Sequence, residues 1–127
     1  MGWIDVDRFG SPAANAAFLL AQHSLDVRLM RAALPFLEKD KAPAKLGGEA
    51  YALLFDRLQI LLGEKQRFGT QVDTMGGWPQ ASPLEDPEGV DERRLALGML
   101  PLARYLKVFG GDGQVRVSEA CNPPKEP

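Results

Sequence analysis

The sequence is poor in the residue types that support covalent cross-links and metal sites. It contains one cysteine, Cys121, and one histidine, His23, among 127 residues. One cysteine cannot form an internal disulfide, and this residue set offers no spacing that would hold a transition metal. The glycine-rich loops that bind phosphates or dinucleotides are missing too. We therefore expect no metal and no cofactor, and the lack of disulfides favours a cytoplasmic location.

Long apolar runs and a strong excess of one charge are also missing. No stretch reaches the roughly 18 apolar residues that a membrane-spanning helix needs, and the N-terminus lacks the basic and apolar regions of a signal peptide. A net charge of −2 argues against sequence-blind nucleic-acid binding, which needs a strong positive field. We expect neither a membrane nor a nucleic-acid partner, and the oligomeric state stays open.

The sequence does contain a globular balance of residues and clear helical patterns. Hydrophobic residues make up 45% of the chain and charged residues 25%, and the length suits one domain. We predict a mainly α fold, a compact domain of four to five helices with a small β-hairpin or ordered loop after the central helix. Apolar spacing and capping residues place helices at 13–22, 26–37, 49–62, 90–97 and 102–108.

The ends of the chain lack this periodicity. Residues 1–110 are expected to form a single helical domain, and residues 111–127 a C-terminal tail. Within the tail, 114–117 suits a short strand, and the proline-rich end is expected to be disordered. The first nine residues should be extended, and Pro35 should kink or end its helix because it lacks an N–H.

The first candidate for chemistry is Gln22-His23, near the end of a predicted helix. Histidine is the usual general base near neutral pH, so His23 is a candidate catalytic general base, and Asp26 could orient it. Gln22 adds hydrogen-bonding groups for a ligand. A histidine at this place can equally serve to cap the carbonyls of the helix end.

The second candidate is Asp56-Arg57, within the leucine-rich central helix. Asp56 suits a catalytic role beside His23, as its orienter or charge partner. Arg57 suits the binding of a carboxylate or phosphate, because its planar guanidinium matches those groups. The alternative is a structural ion pair, since a charge near an apolar face needs a partner.

Two further polar groups suit ligand binding. Gln66, Thr70 and Gln71 lie on a segment that we predict to be extended over 66–72. They either hydrogen-bond a polar ligand or tie a hairpin onto the helices. Arg94 follows Arg93, and this pair either binds an anion or lies on a solvated face with neighbouring carboxylates.

Several short motifs recur in an order that resembles a known family. They are Gln22-His23, Asp56-Arg57, Phe68-Gly69-Thr70-Gln71, Asp86-Pro87, Val90-Asp91, Arg93-Arg94, Leu97-Gly98, Pro101-Leu102 and Tyr105. Over residues 2–106 the chain is similar to an uncharacterised bacterial family known as a domain of unknown function. Phe68 stands where that family usually has tyrosine. The resemblance implies no activity, but it implies that the polar residues belong to one site between two helices and the hairpin.

Two functions fit these residues, and whether the domain is an enzyme stays open. The favoured one is a site for a small polar or anionic metabolite. The alternative is a non-catalytic protein-interaction module, of the antitoxin or immunity type, in which the same residues form a structural network. A site requires an open cavity and a poorly satisfied His23. A module requires a closed network and an exposed apolar patch, for example around Trp78 or Phe109.

Overall fold

The computed structural model describes residues 3–119, and the fold is mainly helical as predicted. A two-stranded antiparallel hairpin follows the central helix, and a 3-10 turn at Pro87–Gly89 precedes the fifth helix. The elements are α1 (Val6–Phe9), α2 (Ser11–Ser24), α3 (Val27–Lys39), α4 (Gly48–Leu61), β1 (Val72–Asp73), β2 (Gln80–Ala81), α5 (Val90–Ala96) and α6 (Leu102–Lys107). Within this part of the chain, no helix has the length and apolar character needed to cross a bilayer.

The prediction that the first nine residues are extended was wrong for residues 6–9, which form the single-turn helix α1. Asp5 caps it by accepting a hydrogen bond from the Arg8 N–H at 3.0 Å. The buried Asp40, which follows α3, accepts another from the Val6 N–H, also at 3.0 Å. These contacts to the N-terminal N–H groups stabilise a turn too short to show an apolar period.

Helix α3 begins where the sequence predicts and continues further than predicted. Asp26 caps it by accepting hydrogen bonds from the N–H groups of Arg28 and Leu29. The helix then passes through Pro35 to Lys39, so of the two predicted effects, a kink or an end of the helix at Pro35, the end was wrong. Burial of its apolar face against α4 outweighs the one backbone hydrogen bond that proline removes.

Helix α4 is the central element of the main core. Its apolar residues Ala50, Leu54 and Leu58 are buried against α2 and α3, as the leucine stripe predicts. Its N-terminus packs against the turn after α5 so closely that a Cβ on Gly48 would overlap the Leu97 carbonyl oxygen. Helix α4 therefore contacts both halves of the molecule.

A second core lies between the hairpin and α5–α6. The hairpin pairs Val72 with Ala81 and Asp73 with Gln80, and Ala81 also bridges to Val117. Of the strand predicted over 114–117, only this bridge is formed, and the disordered end predicted for the tail falls on residues 120–127, outside the described residues. The predicted strand over 66–72 was also wrong in most of its length.

Candidate functional site

The side chain of Asp56 explains why residues 66–70 are not a strand. Asp56 is completely buried, and its Oδ1 accepts hydrogen bonds from the N–H groups of Arg67 at 2.9 Å and Phe68 at 3.1 Å. Its Oδ2 accepts two more from Thr70, from the N–H at 3.0 Å and the hydroxyl at 2.9 Å. We call this carboxylate with its three donor residues the Asp56 cage.

The cage satisfies a charge that would otherwise be costly to bury. Burial raises the pKa of the Asp56 carboxyl above its ordinary value, and the four hydrogen bonds act in the opposite direction. All four donors come from the loop that follows α4. Asp56 therefore orders that loop, and neither Asp56 nor Arg57 forms an ion pair with any of residues 3–119. The structural ion pair considered from the sequence was wrong.

The side chains of Gln66 and Gln71 form further hydrogen bonds that hold the same loop. The Gln66 amide nitrogen donates to the carbonyls of Gln71 at 3.0 Å and Ser82 at 2.9 Å, and its oxygen accepts from the Gln71 N–H at 2.9 Å. Gln71 donates from its own amide to the Thr70 hydroxyl oxygen at 3.1 Å. Three predicted ligand-binding residues, Gln66, Thr70 and Gln71, thus form one network with Asp56.

Arg94 connects this network to the C-terminal half. It is only 1% exposed, so its placement on a solvated face was wrong. Its Nη1 donates to the Phe68 carbonyl at 2.6 Å and its Nε to the Leu100 carbonyl at 2.7 Å. Its guanidinium lies 4.7 Å from the ring centre of Tyr105, whose hydroxyl donates to the Thr70 carbonyl at 2.8 Å. Burial lowers the pKa of Arg94 from its ordinary value.

His23 and Gln22 lie outside this network. His23 is exposed on α2, and its Nδ1 contacts the Leu19 carbonyl at 2.8 Å, as expected of a helix-capping histidine. Neither Asp26 nor Asp56 forms a hydrogen bond with it among the described residues. The half-buried Arg57 has an enclosed Nε with no hydrogen-bond partner there. The predicted site is therefore only partly assembled, and the chemical roles of His23, Asp56 and Arg57 stay predictions.

A groove of about 660 Å³ opens beside Arg94, between the start of α4 and the α5–α6 corner. We call this space the α4–α6 groove. Of the predicted site residues, Arg94 is the one that lines it. The rest of its wall consists of Pro43, Leu46, Gly47, Gly48, Glu49, Leu97, Gly98, Met99, Leu100, Arg104, Tyr105, Lys107 and Val108.

The α4–α6 groove contains charges that the described chain does not neutralise. Arg94 uses two guanidinium nitrogens on carbonyls, and no carboxylate pairs with it. Arg104 and Lys107 lie one turn apart on α6, and neither forms an ion pair within residues 3–119. Three cationic side chains on an apolar wall can attract an anionic group.

Sequence reasoning missed most of this groove. Arg104 and Lys107 stand three residues apart, which places them on one helix face, and that spacing was the available signal. Glu49 and the Gly47-Gly48 pair gave no chemical signal, because their neighbours in the groove come from α5 and α6. Within the described residues, no cluster of acidic, histidine or cysteine side chains could hold a metal ion.

Comparison with known proteins adds a family and no activity. No curated protein and no solved structure matches the chain. One family model matches residues 1–117, nearly the whole sequence. That coverage includes both cores, the Asp56 cage and the α4–α6 groove. The chain therefore belongs to DUF6624, a family of unknown function.

Proposed function

We propose that this protein binds a small anionic ligand with an apolar body in the α4–α6 groove. The observation that carries the proposal is Arg94, a buried arginine in the wall of an open cavity. Its Nε and Nη1 are held by carbonyls, which leaves Nη2 for a ligand. A guanidinium held in one orientation suits a carboxylate or phosphate, because little conformational freedom is lost on binding.

The surroundings of Arg94 support an anion. Arg104 and Lys107 add positive charge at the rim of the groove. Helix α4 begins there at Gly48, and its N-cap residue Gly47 has no side chain to bond the first N–H groups. The N-terminus of a helix carries a partial positive charge and unpaired donors, so it adds to the attraction.

The rest of the wall supports an apolar body. Leu46, Leu97, Met99, Leu100 and Val108 contribute side chains to it. Leu100 and Val108 are largely exposed without a ligand, and burying them would add to affinity. A volume of 660 Å³ lies within the range of small-molecule sites, about 300–1,000 Å³.

This proposal keeps the polar ligand predicted from the sequence and moves its site. Binding requires no catalysis by His23 or Asp56, so their catalytic roles are separate proposals. A cytoplasmic ligand would agree with the expected location of the protein. The Asp56 cage then serves the groove indirectly, because it orders the loop that holds Arg94 Nη1 through Phe68.

A titration followed by NMR tests the proposal. The probe is isocaproyl-leucine, which carries one carboxylate and an apolar body, and its carboxamide is the uncharged comparison. We expect the carboxylate to shift the amide signals of Gly48, Gly98 and Val108. We expect the carboxamide to bind about tenfold more weakly, because it lacks the charge-assisted hydrogen bond.

Paired variants locate the binding site. Arg104→Gln with Lys107→Gln should weaken binding of the carboxylate by about tenfold. Arg28→Gln with Arg31→Gln removes the same charge from exposed positions of α3 and should change the affinity little. Equal affinities for the carboxylate and the carboxamide, or signal shifts confined to residues outside the groove, would disprove the proposal.

The second candidate is the interaction module, and the closed Asp56 cage favours it. Trp78 and Phe109 are both substantially exposed, and Met75 at the hairpin turn is 92% exposed. Such side chains are common at the centres of protein interfaces. This candidate predicts that Trp78→Ser would abolish binding of a protein partner that the groove variants still bind.

A further inference from the structure

The α4–α6 groove contains one acidic side chain, and it distinguishes between classes of anion. Glu49 stands in the first turn of α4 and lines the groove together with the cationic residues of α5 and α6. It is exposed and forms no ion pair within residues 3–119. Burial lowers the pKa of Arg94, and the negative charges of Asp91, Asp56 and Glu49 partly oppose that shift.

A simple anion bound at Arg94 would be repelled by Glu49. A ligand with a positive group a few ångströms from its anionic group would instead pair with both walls. The groove therefore has complementary charges for a zwitterion, and apolar side chains line it as well. Complementary charges of this kind contribute more to specificity than to affinity.

We propose that the ligand is a short apolar peptide with both termini free. This inference rests on the proposed function and names the class of its ligand. The peptide carboxylate lies at Arg94, Arg104 and the start of α4, and its ammonium group pairs with Glu49. The volume of 660 Å³ exceeds what a single amino acid fills, so a dipeptide with two apolar side chains is the smallest ligand that uses the whole groove.

Three matched probes separate the two charges. Leucyl-leucine carries both, isocaproyl-leucine is the same molecule without the ammonium group, and leucyl-leucine amide lacks the carboxylate. At pH about 6.5 the peptide amine is protonated. We expect leucyl-leucine to bind about fivefold more tightly than isocaproyl-leucine, which is the effect of one partly exposed ion pair.

The Glu49→Gln variant tests the assigned partner. It should remove the preference, so that isocaproyl-leucine binds at least as tightly as leucyl-leucine. Glu88→Gln, at an exposed glutamate outside the groove lining, is the matched control and should retain the preference. Raising the pH to about 9.5 deprotonates the peptide amine and should abolish the preference in the unaltered protein.

The outcomes distinguish this inference from the function on which it rests. If isocaproyl-leucine binds the unaltered protein as tightly as leucyl-leucine at pH about 6.5, the inference of a zwitterionic ligand is wrong. The proposed binding of an anionic ligand in the groove is then unaffected. A preference that persists in Glu49→Gln also overturns the role of Glu49. If leucyl-leucine amide binds as tightly as leucyl-leucine, or neither carboxylate binds, the proposed function itself fails.

Discussion

At the scale of single residues, the fold depends on buried polar groups that satisfy one another. Asp56 accepts four hydrogen bonds, and three of them come from backbone N–H groups. A carboxylate with this many donors holds a loop in place, because each donor would otherwise be buried without a partner. In this residue, predicted as catalytic from the sequence, each carboxylate oxygen accepts two of the four hydrogen bonds.

Asp56→Asn tests the cage. Its amide nitrogen must face either the donors of Thr70 or those of Arg67 and Phe68, so at least one buried N–H loses its acceptor. We expect a loss of about 2–3 kcal/mol in the free energy of unfolding, measured by urea denaturation.

Asp73→Asn is the control, because Asp73 bonds one exposed N–H that an asparagine oxygen can also accept. It should change the stability by less than about 0.5 kcal/mol. A stability of Asp56→Asn equal to that of the control would show that the cage contributes nothing to the fold.

At the scale of elements, the decisive contact is the start of α4 against the α5–α6 corner. Gly48 permits it, because the Leu97 carbonyl and side chain occupy the space where a Cβ would lie. This close approach brings the start of α4, with Glu49, into the lining of the same groove as the cations of α6. Ordinary helix propensity would favour alanine over glycine in α4, so glycine here reflects packing.

Gly48→Ala tests that reading through the sign of its effect. If Leu97 leaves no space for the added methyl group, the variant should lose about 1–3 kcal/mol of stability, measured by thermal denaturation. If the space around residue 48 were open, the variant would instead gain up to about 1 kcal/mol of stability, because alanine has a higher helix propensity than glycine.

Gly76→Ala is the matched control, since the nearest atom to its added Cβ, on Gln80, is 4.0 Å away. It should leave the stability nearly unchanged. A stabilised Gly48→Ala variant would contradict the tight contact seen between α4 and Leu97.

At the scale of the whole molecule, two apolar cores are joined by the hydrogen bonds of Asp56 and Arg94, which we call the polar seam. The first lies between α2, α3 and α4, and the second between the hairpin and α5–α6. A small cluster of Ala52, Phe68 and Met99 lies between them. Asp56 ties α4 to the loop, and Arg94 ties the loop to the turn before α6. This seam should make the two halves unfold together.

Arg94→Lys tests the coupling of the halves. Lysine cannot hold the Phe68 and Leu100 carbonyls in the same geometry. We therefore expect the free energy of opening of the C-terminal half to fall by about 2–3 kcal/mol. Hydrogen exchange should then show faster opening of α5, α6 and the loop, with α3 and α4 still protected.

Arg104→Lys is the control, because Arg104 also lines the groove but is exposed, and its side chain forms no hydrogen bond to a carbonyl among the described residues. Its exchange pattern should match that of the unaltered protein. Uniform loss of protection across both halves of Arg94→Lys would show that the halves still open together without these contacts, so that Arg94 is not what couples them.

The parts of this fold that depend on neighbours along the chain were predictable. Helices α2, α4 and α6 lie within two residues of their predicted bounds, because apolar spacing and glycine punctuation act locally. Asp26 caps α3 as its position suggests. The loop at 66–70 was predicted as a strand because alternation cannot reveal that Asp56, 11 to 14 residues before the donors, accepts their hydrogen bonds. The burial of Arg94 was missed for the same reason, since its carbonyl partners lie on other elements.

The sequence by itself determined that this is a mainly helical domain with a hairpin, and which polar residues to examine. These follow from local periodicity, capping and composition, which act over a few residues. Only the tertiary structure decided what those residues do to one another. It turned Asp56 inward as an acceptor for a loop, left His23 exposed on α2, and placed Arg94 beside Glu49, Arg104 and Lys107. Such contacts join residues that are distant in the chain, so the balance between burial and hydrogen bonding, rather than sequence pattern, sets them.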